Sequence, residues 1–223
     1  MGKIKLFVAR LVANALILGG FVILGYTYLP IIGGEVWYQI MKLRKMTYTL
    51  TAKTVQKPDN VSVFSQYLKS GPLPLQPVNS DFSIAIEKIG VSAPVVKNVS
   101  VTDENEYMKS LDNGVAHAVG TALPGEKGNV YIFAHSSLGF FRFSKYAAVF
   151  NLLRKLDKGD QVHLFYQNKD YIYEVLGKEV VSGWNTYSLT RTVLEPTLTL
   201  QTCDPPGTTF NRLVVTSRLI KVQ

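Results

Sequence analysis

The chain has 223 residues, enough for one domain of ordinary size plus an appendage, and a formal net charge of +8. Its single cysteine, Cys203, excludes an internal disulfide and any multi-cysteine zinc site, and the absence of a dense basic run interleaved with aromatics argues against nucleic acid as a partner. The positive charge suits anionic lipid or polyanionic wall polymers, and it serves plain solubility equally well.

Residues 11–32, LVANALILGGFVILGYTYLPII, carry no charge. As a helix they would cover roughly 33 Å, enough to cross a bilayer core. With no small-residue cleavage pattern after it, the stretch predicts an uncleaved transmembrane signal anchor, with residues 1–10 as a short flank. Tyr26 and Tyr28 suit one interface, and Arg10 can snorkel to the other. Lys3, Lys5 and Arg10 precede the span while Lys42, Arg44 and Lys45 follow it, so charge alone does not orient it.

Residues 33–81 read as a connector, interrupted by Pro58, Asn60, Gly71, Pro72, Pro74 and Pro77. Within it, 47–55 predicts a short strand or extended arm, 61–68 a short helix, and GPLPLQPVNS an extended stretch. From Phe82 the texture becomes that of a β domain: Phe82, Ile84 and Ile86 alternate with Ser83, Ala85 and Glu87, and Gly90 turns the chain into VSAPVV. Asp103 with Glu106 three residues on is a capping-box-like start for a short helix ending before Gly114. GVAHAVGT predicts a small strand, PGEKGN a turn, and NVYIFAH an apolar strand leading to His135. The run from Gly139 to Asp160 predicts a helical turn or two on the outside. QVHLFYQ and DYIYEVLGKEVV predict a hairpin around Asn168 and Lys169, with His163 on the solvent face, and residues 182–196 a long connection. Strands at this spacing argue a barrel or sandwich.

The last stretch, TLTLQTCDPPGTTFNRLVVTSRL (197–219), carries the chemistry. Leu198, Leu200 and Thr202 face one side of a strand and Thr199, Gln201 and Cys203 the other. Asp204, Pro205, Pro206 and Gly207 break that strand, and Arg212 heads a second one folding back beside it. A thiol and a guanidinium at one end of neighbouring strands can attack a carbonyl and steady the charge that develops on its oxygen. A buried inert cysteine and a rim arginine paired with Asp204 are the plain alternatives. Glu104, Glu106 and Asp112 form a loose acidic group whose spacing matches no complete calcium site.

Thr199–Cys203 reproduce the TLxTC motif of the sortases, the surface-anchoring cysteine transpeptidases of bacteria. From about Phe82 to the C-terminus the chain resembles that family, with Ala134 where a glycine usually precedes the histidine. The CDPPG opening and the short Cys203–Arg212 connection are similar to class D and class E sortases. The resemblance implies a mainly β fold, a closed sortase-type β-barrel of about eight strands with short helices, preceded by the single transmembrane helix. It implies Cys203 as nucleophile, His135 as acid and base, and Arg212 as oxyanion stabiliser in a catalytic domain spanning 82–223. Thr202, Ser136 and His117, at or beside strand ends, and Val193 and Leu194 on the connection are the expected substrate contacts. It implies no cofactor and no metal. The partners would be LPXTG-like sorting-signal peptides of surface proteins and an amine acceptor, a peptidoglycan peptide or a pilin lysine. The N-terminus would lie in the cytoplasm and the catalytic domain outside the cell membrane. A membrane-anchored cysteine protease would use the same three residues, and a non-catalytic β-barrel binding module would use none of them.

Overall fold

The computed structural model describes residues 2–51, 71–136, 145–146 and 148–223. The apolar N-terminal stretch forms one helix, α1 (Gly2–Leu43), far longer than the expected span. Its candidate membrane-crossing part is Ile4–Tyr26, none of it buried in the protein. That window lies nearer the N-terminus than 11–32. The helix also runs on into the expected connector, because EVWYQIMKL supplies helix formers with no proline.

Beyond α1, two short strands, β1 (Tyr48–Leu50) and β2 (Leu73–Leu75), pair in parallel. Of the short strand or arm expected over 47–55, Tyr48–Leu50 form a strand and residues 52–55 lie outside the described residues. The helix expected over 61–68 lies outside the described residues.

Eight strands then close a barrel. In chain order they are β3 (Phe82–Ile86), β4 (Val91–Val99), β5 (Val115–Ala118), β6 (Gly128–Phe133), β7 (Gln161–Tyr166), β8 (Lys169–Ser182), β9 (Pro196–Asp204) and β10 (Asn211–Val222). Around the wall the order is β10-β8-β7-β3-β4-β5-β6-β9, with β9 pairing back onto β10. The β4–β5 and β6–β9 pairs are parallel and the others antiparallel, so the barrel is mixed.

Alternation decides which side chains fill it. Ile84 and Ile86, Val130 and Ile132, and Leu198 and Leu200 are fully buried, two residues apart on β3, β6 and β9. Burying each such side chain stabilises the fold by about 1.5–3 kcal/mol. Phe150, Leu153 and Leu156 join this core from a segment holding one 3-10 turn, Leu153–Lys155. Among the described residues of the stretch from Gly139 to Asp160 that turn is the helical content; residues 139–144 and 147 lie outside them.

The β4–β5 crossover carries α2 (Glu104–Asn113), capped as expected: Asp103 Oδ1 accepts from Glu106 N at 3.2 Å. Gly114 follows its end, where a Cβ would lie 2.2 Å from Pro94 O, closer than any side chain tolerates. The β7–β8 hairpin turns at Gln167 and Asn168, one residue earlier than expected, both with positive φ (50° and 62°) as a two-residue turn of that hand needs. His163 is a correction. It is 7% exposed, its Nδ1 2.9 Å from Asp170 Oδ2 and its ring stacked on Phe165, so a hydrogen bond to Asp170 covers a strand face that alternation assigned to solvent.

Candidate active site

Three adjacent strands bring the candidate residues together at one end of the sheet. β9 and β10 are antiparallel with Cys203 directly opposite Arg212. On the other flank β6 runs parallel to β9, ending with Phe133 opposite Gln201. The ladder continues past that pair: Ala134 N donates to Gln201 O at 3.1 Å, and Thr202 Oγ1 donates to Ala134 O at 2.9 Å. His135 follows directly past this end of β6 and lines the same groove as Cys203. Residues two apart share a face, so Tyr131 and Phe133 on one strand and Thr199, Gln201 and Cys203 on the next point away from the barrel interior.

A groove of about 530 Å³ runs over this outer face and contains Cys203, His135 and Arg212. Its floor is Tyr131, Phe133 and Gln201. One wall is α2, through Tyr107, Met108 and Leu111; the other is the β8–β9 connection, through Asn185, Thr186 and Leu189. Tyr107 meets Phe133 edge-on at 6.5 Å, which ties α2 to the floor. The opposite wall is tied down by polar contacts. Arg191 Nη2 donates to Thr199 Oγ1 (3.3 Å) and Thr216 Oγ1 (3.1 Å), and Asn129 Nδ2 donates to Ser188 O (3.0 Å). The connection also carries a short helical turn, α3 (Tyr187–Thr190).

Cys203 is half-buried and reduced. His135 is half-buried, its Nε2 is shielded from solvent, and its carbonyl accepts from Phe150 N at 3.3 Å, which fixes the chain just past the strand. Arg212 donates through Nη1 to Thr209 O (3.0 Å) and Asn211 O (3.1 Å), so its own turn orients the guanidinium. Asp204 lies instead 3.9 Å from Arg154, at a distance where a partly exposed pair contributes little. Burial pushes the Tyr131 phenol above its ordinary pKa, against the pull of Ser188, Arg212 and Arg191, and its hydroxyl donates to Gln201 Oε1. A thiol, an imidazole and a guanidinium along one groove edge can together carry acyl transfer: attack, proton delivery and oxyanion stabilisation.

The other expected contacts divide. Thr202 lines the groove, although its hydroxyl is spent on Ala134 O. Ser136 is buried (2% exposed) and does not line it. His117 is fully buried in the barrel wall, where Nδ1 accepts from Asn98 N and Nε2 faces Ala122 O at 3.0 Å. Val193 and Leu194 lie on the connection beyond its groove-lining part; Leu194 is 80% exposed. The sequence reading passed over Tyr131, Gln201 and Arg191. For the first two the signal was present, since they alternate in step with His135 and Cys203. Among the described residues no cluster of three or more metal-binding side chains forms, and the acidic residues of α2 stand at the surface.

Comparison with known proteins agrees with this architecture. The sortase domain profile matches residues 84–220. Sortase D of Bacillus subtilis (strain 168) is 26% identical over 122 residues, 55% of this chain, and the chain spans about half (53%) of that relative's length. Among solved structures, a Clostridium perfringens sortase D5 transpeptidase superposes with TM-score 0.51 at 28% identity over 66% of this chain and 82% of its own. Sortase C-1 of Actinomyces oris gives 0.54 at 25% identity over 86% and 99%. The class D relatives agree with the class suggested by the CDPPG turn. With a family profile covering more than half of its length, including Cys203, His135 and Arg212, the chain belongs to the sortase family.

Proposed function

We propose that this chain is a membrane-anchored transpeptidase that cleaves an LPXTG-like sorting signal of surface proteins and passes the acyl part to an amine. The observation that carries the reading is the register that sets Cys203 opposite Arg212, with His135 just past the end of the flanking strand, in one walled groove. Cys203 thiolate attacks the scissile carbonyl, and the Arg212 guanidinium donates to the oxygen as it becomes negative. His135 protonates the leaving amine as the C–N bond breaks, and a thioester remains. An incoming amine, from a peptidoglycan peptide or a pilin lysine, gives its proton to His135 and attacks the thioester. A new amide forms and the Cys203 thiolate is restored. No cofactor takes part in this sequence of steps.

The apolar part of α1 supplies the anchor, with the N-terminus in the cytoplasm and the barrel outside. Holding enzyme and substrate on one surface raises their effective concentration. The test is to incubate the full chain in detergent with LPXTG-like peptides, with and without an added amine, and to read the products by mass spectrometry. The expected result is an acyl adduct on Cys203, absent from Cys203→Ala, that becomes a peptide amide only when amine is present. Hydrolysed peptide at the same rate with or without amine would make the chain a protease. Folded protein with a free thiol and no adduct would favour a binding module.

A further inference from the structure

Gln201 fills the variable position of TLxTC and forms the centre of the groove floor, flanked in register by Phe133 on β6 and Val214 on β10. It lies two residues before Cys203 on the same face. The Tyr131 phenol, itself only 3% exposed, donates to Gln201 Oε1. With the amide oxygen engaged, the plane of the carboxamide is set. Nε2 carries two donor hydrogens, and among the described residues no acceptor takes them. A rigidly held donor in the floor of a peptide-sized groove is suited to a carbonyl oxygen.

The distances favour a backbone carbonyl. Two residues of strand cover about 6.6 Å, and two residues of an extended peptide cover the same length with their carbonyls on the same side. A peptide lying along β9 with its scissile carbonyl at Cys203 therefore brings the carbonyl two residues away level with Gln201. The direction follows from the order of events. In acyl transfer the acyl half stays as thioester while the leaving half departs and an amine enters. The walled stretch between α2 and the β8–β9 connection holds what stays, and the end where β9 runs out at Asp204 serves the exchange.

We propose that Gln201, oriented by Tyr131, binds the acyl half of the substrate by donating from Nε2 to the backbone carbonyl two residues before the scissile one. Gln201 then touches substrate, and Tyr131 is a positioning residue that acts through it. The contact reads backbone rather than side chain, so it sets the peptide's register without choosing its residues. This inference rests on the transpeptidase reading above.

The experiment compares the full-length wild type with Gln201→Met, Gln201→Glu and Tyr131→Phe. Each receives an LPXTG-like peptide and an analogue whose amide two residues before the scissile one is a trans-alkene, lacking the carbonyl oxygen. The wild type should lose about five- to tenfold in kcat/KM on the alkene analogue, the scale of one neutral hydrogen bond. Gln201→Met should be down by a similar factor on the normal peptide and insensitive to the alkene. Gln201→Glu should fall further, since a carboxylate would face a carbonyl, and Tyr131→Phe should lie between wild type and Gln201→Met. KM for the acceptor amine and the thermal midpoint should not move, which separates the contact from a structural role. Gln201→Met acylating at the wild-type rate, or still paying the full alkene penalty, overturns the inference alone. A wild-type chain that forms no Cys203 adduct overturns the transpeptidase reading and this inference with it.

Discussion

At Arg212 one amino group of the guanidinium is held by two carbonyls of its own turn, while the planar fork leaves Nη2 and Nε for an oxyanion. A lysine has one compact ammonium and cannot fill both roles in one geometry. In the proposed mechanism Arg212→Lys therefore lowers the rate of Cys203 acylation by about 10²-fold or more, with the thermal midpoint and peptide KM little changed. Single-turnover acylation followed by mass spectrometry checks this, and a rate near that of wild type would remove Arg212 from the oxyanion role. His117 makes a different kind of prediction. Burial lowers its pKa from the ordinary 6.5, and Lys97 adds to this, while the bond to Ala122 and the charge of Glu126 act the other way. The geometry agrees: Nδ1 accepts from Asn98 N, so a second proton there would set two donors against each other. Because the folded pKa lies below the unfolded one, the unfolded chain binds the extra proton first. The stability this residue contributes is complete above about pH 6.5 and is lost as pH falls below it. Thermal midpoints between about pH 7 and pH 5 should fall less steeply for His117→Gln, whose amide can accept from Asn98 and donate to Ala122, than for the wild type.

At the scale of elements, α2 is the part whose formation shapes the groove, since it supplies one whole wall. Asp103 satisfies one of its first backbone N–H groups, and Asp103→Ala should cost about 1 kcal/mol. The fraying falls on the turn that carries Glu104 and Tyr107, so peptide KM should rise while the Cys203 acylation rate at saturation holds. Urea unfolding and steady-state kinetics together test this, and an unchanged KM would mean that the wall stands without its cap. How α2 meets the floor was not legible in the sequence. Its capping signal and the glycine that ends it were, because both are local; its seat against Phe133 depends on a parallel β4–β5 crossover that no periodicity announces. β9 was legible throughout, since the leucines two apart and the break at Asp204–Gly207 leave one register and one end. His163 was misread for the opposite reason: alternation sees the side chain's face, while its cover, Asp170, comes from the next strand. The length of α1 was not legible because hydropathy marks where a helix is apolar. It does not mark where the helix ends, and α1 continues through polar residues that dock it to the barrel.

That docking sets how the whole molecule is disposed. Past its apolar part, α1 lays Glu35 Oε1 2.5 Å from Lys155 Nζ, sets Tyr38 beneath the same ammonium (5.4 Å to the ring centroid), and donates from Trp37 Nε1 to Tyr48 OH at 3.0 Å. At Gly34 the helix passes close to the Asn151 amide, which a Cβ there would meet at 2.8 Å. The bond from Lys155 holds the Glu35 carboxyl below its ordinary pKa, against its desolvation, with Gln39 and Arg154 helping. Arg154 also lies 3.9 Å from Asp204, next to Cys203, so the docked helix and that end of β9 share one side of the barrel. In the proposed arrangement about 14 Å of helix separates Tyr26, the end of the apolar part, from Glu35. A substrate held in the same bilayer would then reach Cys203 only through a spacer matched to the height at which the docked helix holds the barrel. With the full chain in vesicles and peptides tethered by their own apolar helix, turnover should peak near that spacer length. Lys155→Glu sets two carboxylates together, loosens the dock and should broaden the dependence, and Glu35→Lys in the same chain should narrow it again, because the swapped pair restores the contact. A spacer profile that ignores Lys155→Glu would mean that the barrel swings freely on its anchor and that the anchor sets only proximity.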